Sequence, residues 1–400
     1  VSTYTDVLKT PGVARTITAQ LVSRFPVGMY ALGVLLHMEL VHGSYAAAGL
    51  VLAAISAGQA IATPVTTRLM SKFGTRWLLL FTVVVSAAAV FALAVLQVPL
   101  WVDVVFGAVA GVTMPPIAPA VRTLYPRLVP QRQLAPLYSL DATLQELIWV
   151  LGPVAVTFLA TTFNPTAALV VGASVQLVGG LWFVLLREIG NLRIPPTNKR
   201  MGGVLKKRPV LLVTVVGFLM IGSFAAAEAG VVSVFGHDGP QAGVVLAVSA
   251  LGSLIGGFTF GHRRITKWSL AIRGGIMVFG FLLAPFVINI WGLSIGMFIA
   301  GIGCAPALAA VSAIVAGSVK FADTPEAYGW VNSGQLIGTA LASALAGVLI
   351  DSNGPLGGLL VALAFAIAGV AIAAIFRKHQ PDLSDGIHEP PPTAPVEIPR

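Results

Sequence analysis

The chain has 400 residues, of which 56% are hydrophobic and only 10% charged, with a formal charge of +9; a soluble protein carries roughly 25% charged residues. A mean hydropathy of +0.90 leaves too few polar side chains to clothe a water-facing surface, which excludes a soluble fold and makes lipid the solvent. The single cysteine, Cys304, excludes disulfide scaffolds and Cys-based metal sites, and the positive charge does not read as a nucleic-acid face, which needs a basic patch on a soluble domain.

A helix needs roughly 20 apolar residues to cross a bilayer. Charges, Pro and Gly cut the sequence into twelve such runs, at 17–38, 45–67, 78–98, 100–121, 136–161, 166–186, 209–234, 241–261, 268–289, 291–318, 327–350 and 355–376. The segment 1–16 carries Lys9 and Arg15 but no small-residue cleavage site before a run too long for a signal peptide, so it is expected to stay on the chain. Arg68, Lys72 and Arg76 follow span 2; Arg122, Arg127 and Arg132 follow span 4; a basic link at 187–208 follows span 6. Arg263, Arg264, Lys267 and Arg273 follow span 8, Lys320 follows span 10, and Arg377, Lys378 and Arg400 end the chain. No connection after an odd-numbered span holds a Lys or Arg. Basic loops stay in the cytoplasm, so both termini are expected there, and Arg24 is left as the only basic residue inside a span. The last segment, 378–400, is rich in Pro and acids and reads as a disordered cytoplasmic tail.

The link divides the spans into an N-terminal bundle, 17–186, and a C-terminal bundle, 209–377. Ala48-Gly49-Leu50-Val51-Leu52-Ala53 in span 2 answers Ala242-Gly243-Val244-Val245-Leu246-Ala247 in span 8. Tyr138 with Gln145 in span 5 answers Tyr328 with Gln335 in span 11, and the offsets are 194 and 190. Together these matches favour a duplication. The predicted fold is an all-α integral membrane protein of twelve helices in two pseudo-symmetric six-helix bundles, an architecture that places a site between its halves.

On these residues the chain resembles the major facilitator superfamily, and within it the twelve-span bacterial drug:proton antiporters. That resemblance implies a multi-pass protein of the cytoplasmic membrane whose halves alternate access. In the family, the loop after helix 2 carries a Gly, Asp, Arg, Gly, Arg signature that latches the halves. Here Arg68 lies in that loop and Lys72, Gly74 and Arg76 are kept, but Thr67 stands at the first glycine and Ser71 at the acid. The family's helix 4 arginine falls on Gly107 when Gly111 is matched to the motif glycine, and Gly152-Pro153 is what survives of the helix 5 antiporter motif.

An ionised side chain at mid-membrane costs roughly 2.5–3.5 kcal/mol on insertion scales and needs a partner or a task. Arg24 is expected about 10 Å above the cytoplasmic end of helix 1, between Asp141 at about 8 Å and Glu146 at about 15 Å along helix 5. The resemblance makes those helices neighbours, so the guanidinium could reach either carboxylate. Protonating Glu146 would then release Arg24, a switch fit for proton coupling; a static ion pair that fixes packing is the alternative. Asp141, closer to cytoplasmic water, is expected to be the easier of the two to replace. Glu228 is a second titratable candidate or a snorkelling end residue. Gln59, Gln145, Asn332 and Gln335, with Tyr30, Tyr138, Trp149 and Trp330, are candidate walls of a substrate cavity; interhelical hydrogen bonds and aromatic packing explain them equally well. Pro115, Pro116, Pro119 and Pro153 are expected to bend helices 4 and 5.

The sequence thus predicts a secondary transporter of small amphiphilic molecules, proton-coupled and outward in direction, with no cofactor and no metal. Its partners are the bilayer, a small substrate and protons, without nucleic acid, and it is expected to be monomeric. No phosphate-binding glycine loop is present to drive a primary pump. Three alternatives stay open: a proton-coupled importer, a membrane-embedded lipid enzyme, and a non-transporting sensor or assembly partner using the tail.

Overall fold

A computed structural model describes residues 4–196, 200–235 and 240–383. Among the described residues there is no strand, and twelve helices are long and apolar enough to cross a membrane. The first six are α1 (Val13–His42), α2 (Tyr45–Phe73), α3 (Thr75–Val95), α4 in two pieces (Leu100–Val112 and Ile117–Leu128), α5 (Gln131–Thr162) and α6 (Pro165–Leu185). The second six are α7 (Arg208–Phe235), α8 (Pro240–Phe260), α9 (Ser269–Leu283), α10 (Ile290–Ser318), α11 (Thr324–Asn353) and α12 (Pro355–Ile375).

The punctuation has local causes. Gly43 ends α1 at φ 62°, a left-handed conformation that glycine adopts without steric cost, and the Ser44 hydroxyl then caps α2 by accepting from the Ala47 amide. Asn164 and Asn289 cap α6 and α10 in the same way. The break in α4 falls at Pro115 and Pro116, which have no N–H to give the helical ladder. Several helices run past the apolar stretches that mark them in sequence, because polar ends such as Val13–Thr16 and His37–His42 stay helical beyond the greasy core.

Three segments outside the expected spans carry structure of their own. In the N-terminal segment Tyr4–Lys9 is a short helix, and α1 begins at Val13, four residues before the expected span. The link contains a helical turn at Arg187–Gly190 and a 3-10 turn at Gly203–Lys206. The expected free tail starts packed, since the Leu383 amide donates to the Ile265 carbonyl at 2.9 Å and the Gln380 side chain donates to the Ala373 carbonyl at 2.9 Å. The rest of the predicted tail, 384–400, lies outside the described residues.

The duplication is written in backbone contacts. A Cβ on Gly111 would run into the Ile55 carbonyl; on Gly301, 190 positions later, it would run into the carbonyl of Ser249, 194 after Ile55. A Cβ on Gly28 would likewise meet the Ile148 carbonyl, and one on Gly222, less tightly, the Gly338 carbonyl, again at offsets of 194 and 190. The same close helix crossings therefore occur in both halves, at the two offsets that the sequence matches give. The halves meet where α2 packs on α11 and where α5 packs on α8 and α10. The loops rich in Lys and Arg share one side of the bundle, called here the basic side.

Candidate functional site

On the basic side the two halves are joined by two seams. At the α5/α8 seam the Ser139 hydroxyl donates to the Gly257 carbonyl at 2.9 Å. Gly257 and Gly261 leave room for the Thr143 and Ser139 side chains, where a Cβ would collide with each hydroxyl. Tyr4, reaching in from the short N-terminal helix, donates to the same Gly257 carbonyl at 2.8 Å and stands edge-on to the Phe258 and His262 rings. Burial raises the Tyr4 phenol above its ordinary pKa, so it remains a neutral donor.

At the α2/α11 seam Gly329 gives the matching close approach to Thr67 and Pro64. Arg68 pairs at 3.4 Å with Glu326, whose side chain is 2% exposed and also accepts from the Gly202 amide at 2.7 Å and the Trp330 indole at 3.4 Å. Farther in, the Ser333 hydroxyl donates to the Ala60 carbonyl at 2.6 Å.

Between the seams, equivalent tyrosines of the two halves meet. The Tyr328 hydroxyl lies 3.1 Å from that of Tyr138. Tyr138 donates to the Arg122 carbonyl at 3.0 Å and Tyr328 to the Ser312 carbonyl at 2.8 Å, in each case sixteen residues back along the chain. Both phenols are buried, and a single apolar cluster containing Tyr125, Tyr138, Val311 and Tyr328 runs through both halves here. These contacts make a floor.

One to two turns above the floor on α5 lies a cluster of ions in the N-terminal half. Asp141 is buried; its Oδ2 accepts from Arg122 Nε at 2.8 Å, and its Oδ1 lies 3.4 Å from Arg24 Nη1 and accepts from Gln20 Nε2 at 3.1 Å. Arg24 Nη1 also donates to Gln20 Oε1 at 2.8 Å. The outer nitrogens of both guanidiniums converge on one atom, Gln145 Oε1, which accepts from Arg122 Nη2 at 3.1 Å and from Arg24 Nη2. The Tyr125 phenol stands beside the carboxylate.

Several sequence expectations are corrected by this arrangement. Arg24 is not the only basic residue inside a span: Arg122 lies in the second piece of α4 and is the closer partner of Asp141, and Arg273 is buried in α9, bonded to the Pro306 carbonyl at 2.5 Å. Glu146 is not a partner of Arg24. It faces Ser253 of α8 and the Cys304 thiol of α10, because five residues along a helix turn a side chain by about 140°. Asp141 is not close to water: it is buried, with two guanidiniums against it.

The remaining candidates scatter. Tyr30 is buried and donates to Gln176 of α6, within one half. Trp330 belongs to the basic-side seam beside Gly202. Gln335 lies against Gly217 of α7; Gln59 and Asn332 are half-buried, and Trp149 is 52% exposed. Glu228 lines a cavity of about 680 Å³ between α7 and α11, with Ser233, Thr339 and Ser343 among its walls. Of the expected latch, only Arg68 reaches the other half. Lys72 lies over the Phe73 ring next to it, Gly74 makes the α2/α3 turn at φ 85°, and Arg76 lies beside Gly190 of its own half. Sequence reasoning missed Arg122, Glu326 and Tyr4. The offset of 190 that pairs Tyr138 with Tyr328 was the available signal for the floor. Among the described residues, no group of three His, Cys, Asp or Glu side chains is placed to hold a metal ion.

The sequence model of the Major Facilitator Superfamily matches residues 16–233 and 210–398 of this chain. Among the solved structures that share its fold are two transporter structures. The human organic anion transporter MFSD10 (TETRAN) is 15% identical with a TM-score of 0.72, over 91% of this chain and 100% of that one. A bacterial homologue of the iron transporter ferroportin, in an outward-facing state, is 14% identical with a TM-score of 0.71, over 92% of this chain and 99% of that one. No curated protein matches by sequence.

Proposed function

This chain belongs to the major facilitator superfamily, and we propose that it is a secondary active transporter that exports small amphiphilic molecules across the bacterial cytoplasmic membrane by proton-coupled alternating access. The observation that carries this is the distribution of bonds between the halves. Among the described residues, the hydrogen bonds and ion pairs that join them run from the basic side to mid-depth, ending near Ser333 with Ala60. Two rigid bundles held together at one end form one of the two states that alternating access requires. With the basic loops in the cytoplasm, both termini lie there and the halves are joined on the cytoplasmic side, as an outward-facing state requires. The likeness to drug:proton antiporters is what favours export over import. Because one chain supplies both halves, a single copy is the expected working unit.

Proton coupling is assigned to Glu146. Its carboxylate faces Ser253 across the α5/α8 seam, so parting that seam changes its surroundings, and the two states then hold its proton with different affinity. Asp141 serves instead to hold Arg24 and Arg122 in place. Glu228, in its own cavity on α7, is the second carboxylate able to sense the outer opening.

The test is flux in proteoliposomes with an imposed pH gradient and a panel of amphiphiles. Wild type should accumulate substrate against its gradient, and Glu146→Gln should lose pH-driven accumulation while keeping energy-independent exchange. Normal accumulation in that variant would move the coupling site elsewhere, with Glu228→Gln the next to make. Flux driven by the gradient in the opposite sense would make the protein an importer.

A further inference from the structure

We propose that Arg24 and Arg122 form a binding subsite for the anionic oxyacid group of an amphiphile, a carboxylate in the simplest case, with Gln145 as the neutral acceptor that occupies it when no ligand is bound. The inference deepens the transporter assignment and rests on it for the direction from which ligand arrives.

Three observations carry it. The first is charge: two guanidiniums surround one carboxylate, Asp141, and among the described residues no second carboxylate touches either of them. A net positive charge within the membrane is costly unless an anion completes it. The second is aim. Asp141 takes Arg24 Nη1 and Arg122 Nε, which leaves both Nη2 atoms pointing at a single oxygen, Gln145 Oε1. Only the oxygen end of that amide can accept from two donors, so a neutral atom stands where the forks of two arginines favour a charged one. The third is access. Arg24 and Arg122 keep 12% and 15% side-chain exposure despite their depth. Gln145 is half-buried above the tyrosine floor, and Trp149, one turn farther from the basic side on the same stripe of α5, is 52% exposed. A carboxylate bound at the two Nη2 atoms would displace the Gln145 amide and lay its apolar body along Trp149.

The closing experiment reads the site by thiol chemistry and needs neither transport nor a known substrate. In a Cys304→Ala background, Gln145→Cys and, as its counterpart in the other half, Gln335→Cys are labelled in the full-length protein. The two reagents are a methanethiosulfonate bearing a sulfonate and one bearing a quaternary ammonium. Both guanidiniums should favour the sulfonate reagent at Gln145→Cys, shifting the rate ratio by about tenfold or more relative to Gln335→Cys. Octanoate should slow that labelling, and octanamide should not. A reagent ratio equal at the two positions, an absence of labelling at Gln145→Cys in folded protein, or equal effects of octanoate and octanamide would each overturn the proposal. Adding Arg24→Gln to Gln145→Cys should lower the sulfonate preference; an unchanged ratio would overturn the role of that arginine. Should the proposal fail, the flux result with Glu146→Gln is untouched; should proton coupling fail, the labelling result still stands.

Discussion

The two halves of this molecule have nearly the same packing and different chemistry. Gly28 on Ile148 and Gly111 on Ile55 in the first half correspond to Gly222 on Gly338 and Gly301 on Ser249 in the second. The ions do not correspond. At the offsets that relate the halves, Arg24 becomes Phe218, Arg122 becomes Ser312 and Asp141 becomes Val331, while Gln145 keeps its amide as Gln335. Phe218 stacks on Phe365 of α12, and Gln335 rests on Gly217. One bundle kept an apolar solution at the position where the other holds two cations and an anion. Backbone crossings tolerate little change because a carbonyl lies where a Cβ would go, whereas side chains projecting from those crossings are free to diverge. The helix crossings are thus common to both halves, while the cluster of Arg24, Arg122 and Asp141 belongs to the N-terminal half.

The most severe test of that difference gives the first half the residue of the second. Asp141→Val leaves two buried guanidiniums without their carboxylate and should cost about 3–5 kcal/mol, read as lost thermal stability or lost folded yield. Adding Arg24→Phe and Arg122→Ser removes the stranded charges and should recover most of that loss. If Asp141→Val alone were as stable as wild type, Asp141 would not be the counter-ion that stabilises the two guanidiniums.

The similarity of the halves is tested by Gly111→Ala and Gly301→Ala. Each methyl group is driven into a backbone carbonyl of the neighbouring helix, Ile55 or Ser249, and overpacking of this kind costs about 1–3 kcal/mol. The two losses in thermal stability should be comparable. A tolerant half would be one in which the crossing has relaxed.

Where the halves touch, the expected effect is smaller. Tyr138→Phe and Tyr328→Phe each remove one hydroxyl from the floor and should cost about 0.5–1.5 kcal/mol. Because the hydroxyls lie 3.1 Å apart, a double-mutant cycle should show a coupling energy that distant sites would lack. Additivity within error would mean that each tyrosine only binds its own carbonyl, at Arg122 or Ser312.

Much of the architecture was legible in the sequence because lipid imposes it: the length of an apolar run and the placement of Lys and Arg are one-dimensional signals. Two short repeats also carried the pseudo-symmetry, and the tyrosine of one repeat turned out to meet its counterpart. The site was less legible. Arg122 stands one residue past the apolar run of span 4 and so read as a loop cation, although the helix continues to Leu128 and turns it inward. Depth puts both Glu146 and Asp141 within reach of Arg24, and the rotation of about 140° between them sets them in different surroundings without saying which one Arg24 meets; in the structure Glu146 faces Ser253 and Asp141 the guanidiniums. Trp330 and Glu326 are neighbours on α11 whose partners, Gly202 and Arg68, lie about 125 and 260 residues away, and no local pattern reports such pairs.

The smallest expected effect separates a sequence motif from a working contact. The loop after α2 carries Arg68, Lys72 and Arg76, and a motif-based latch would use all three. In the structure only Arg68 crosses to the other half, where Glu326 is buried. Arg68→Gln removes the cation from a carboxylate that keeps the Gly202 amide and the Trp330 indole, so the loss should stay below that of a fully orphaned charge, about 1–2 kcal/mol. It should loosen the basic-side seam, measured as faster labelling of a cysteine placed at Thr67. Lys72→Gln and Arg76→Gln change exposed side chains with partners in their own half, and surface changes of that kind stay within about 0.5 kcal/mol. Neither should alter the labelling rate at Thr67. Equal opening by all three variants would show that the loop acts through its summed charge, and the single ion pair at Glu326 would then not be what holds the α2/α11 seam.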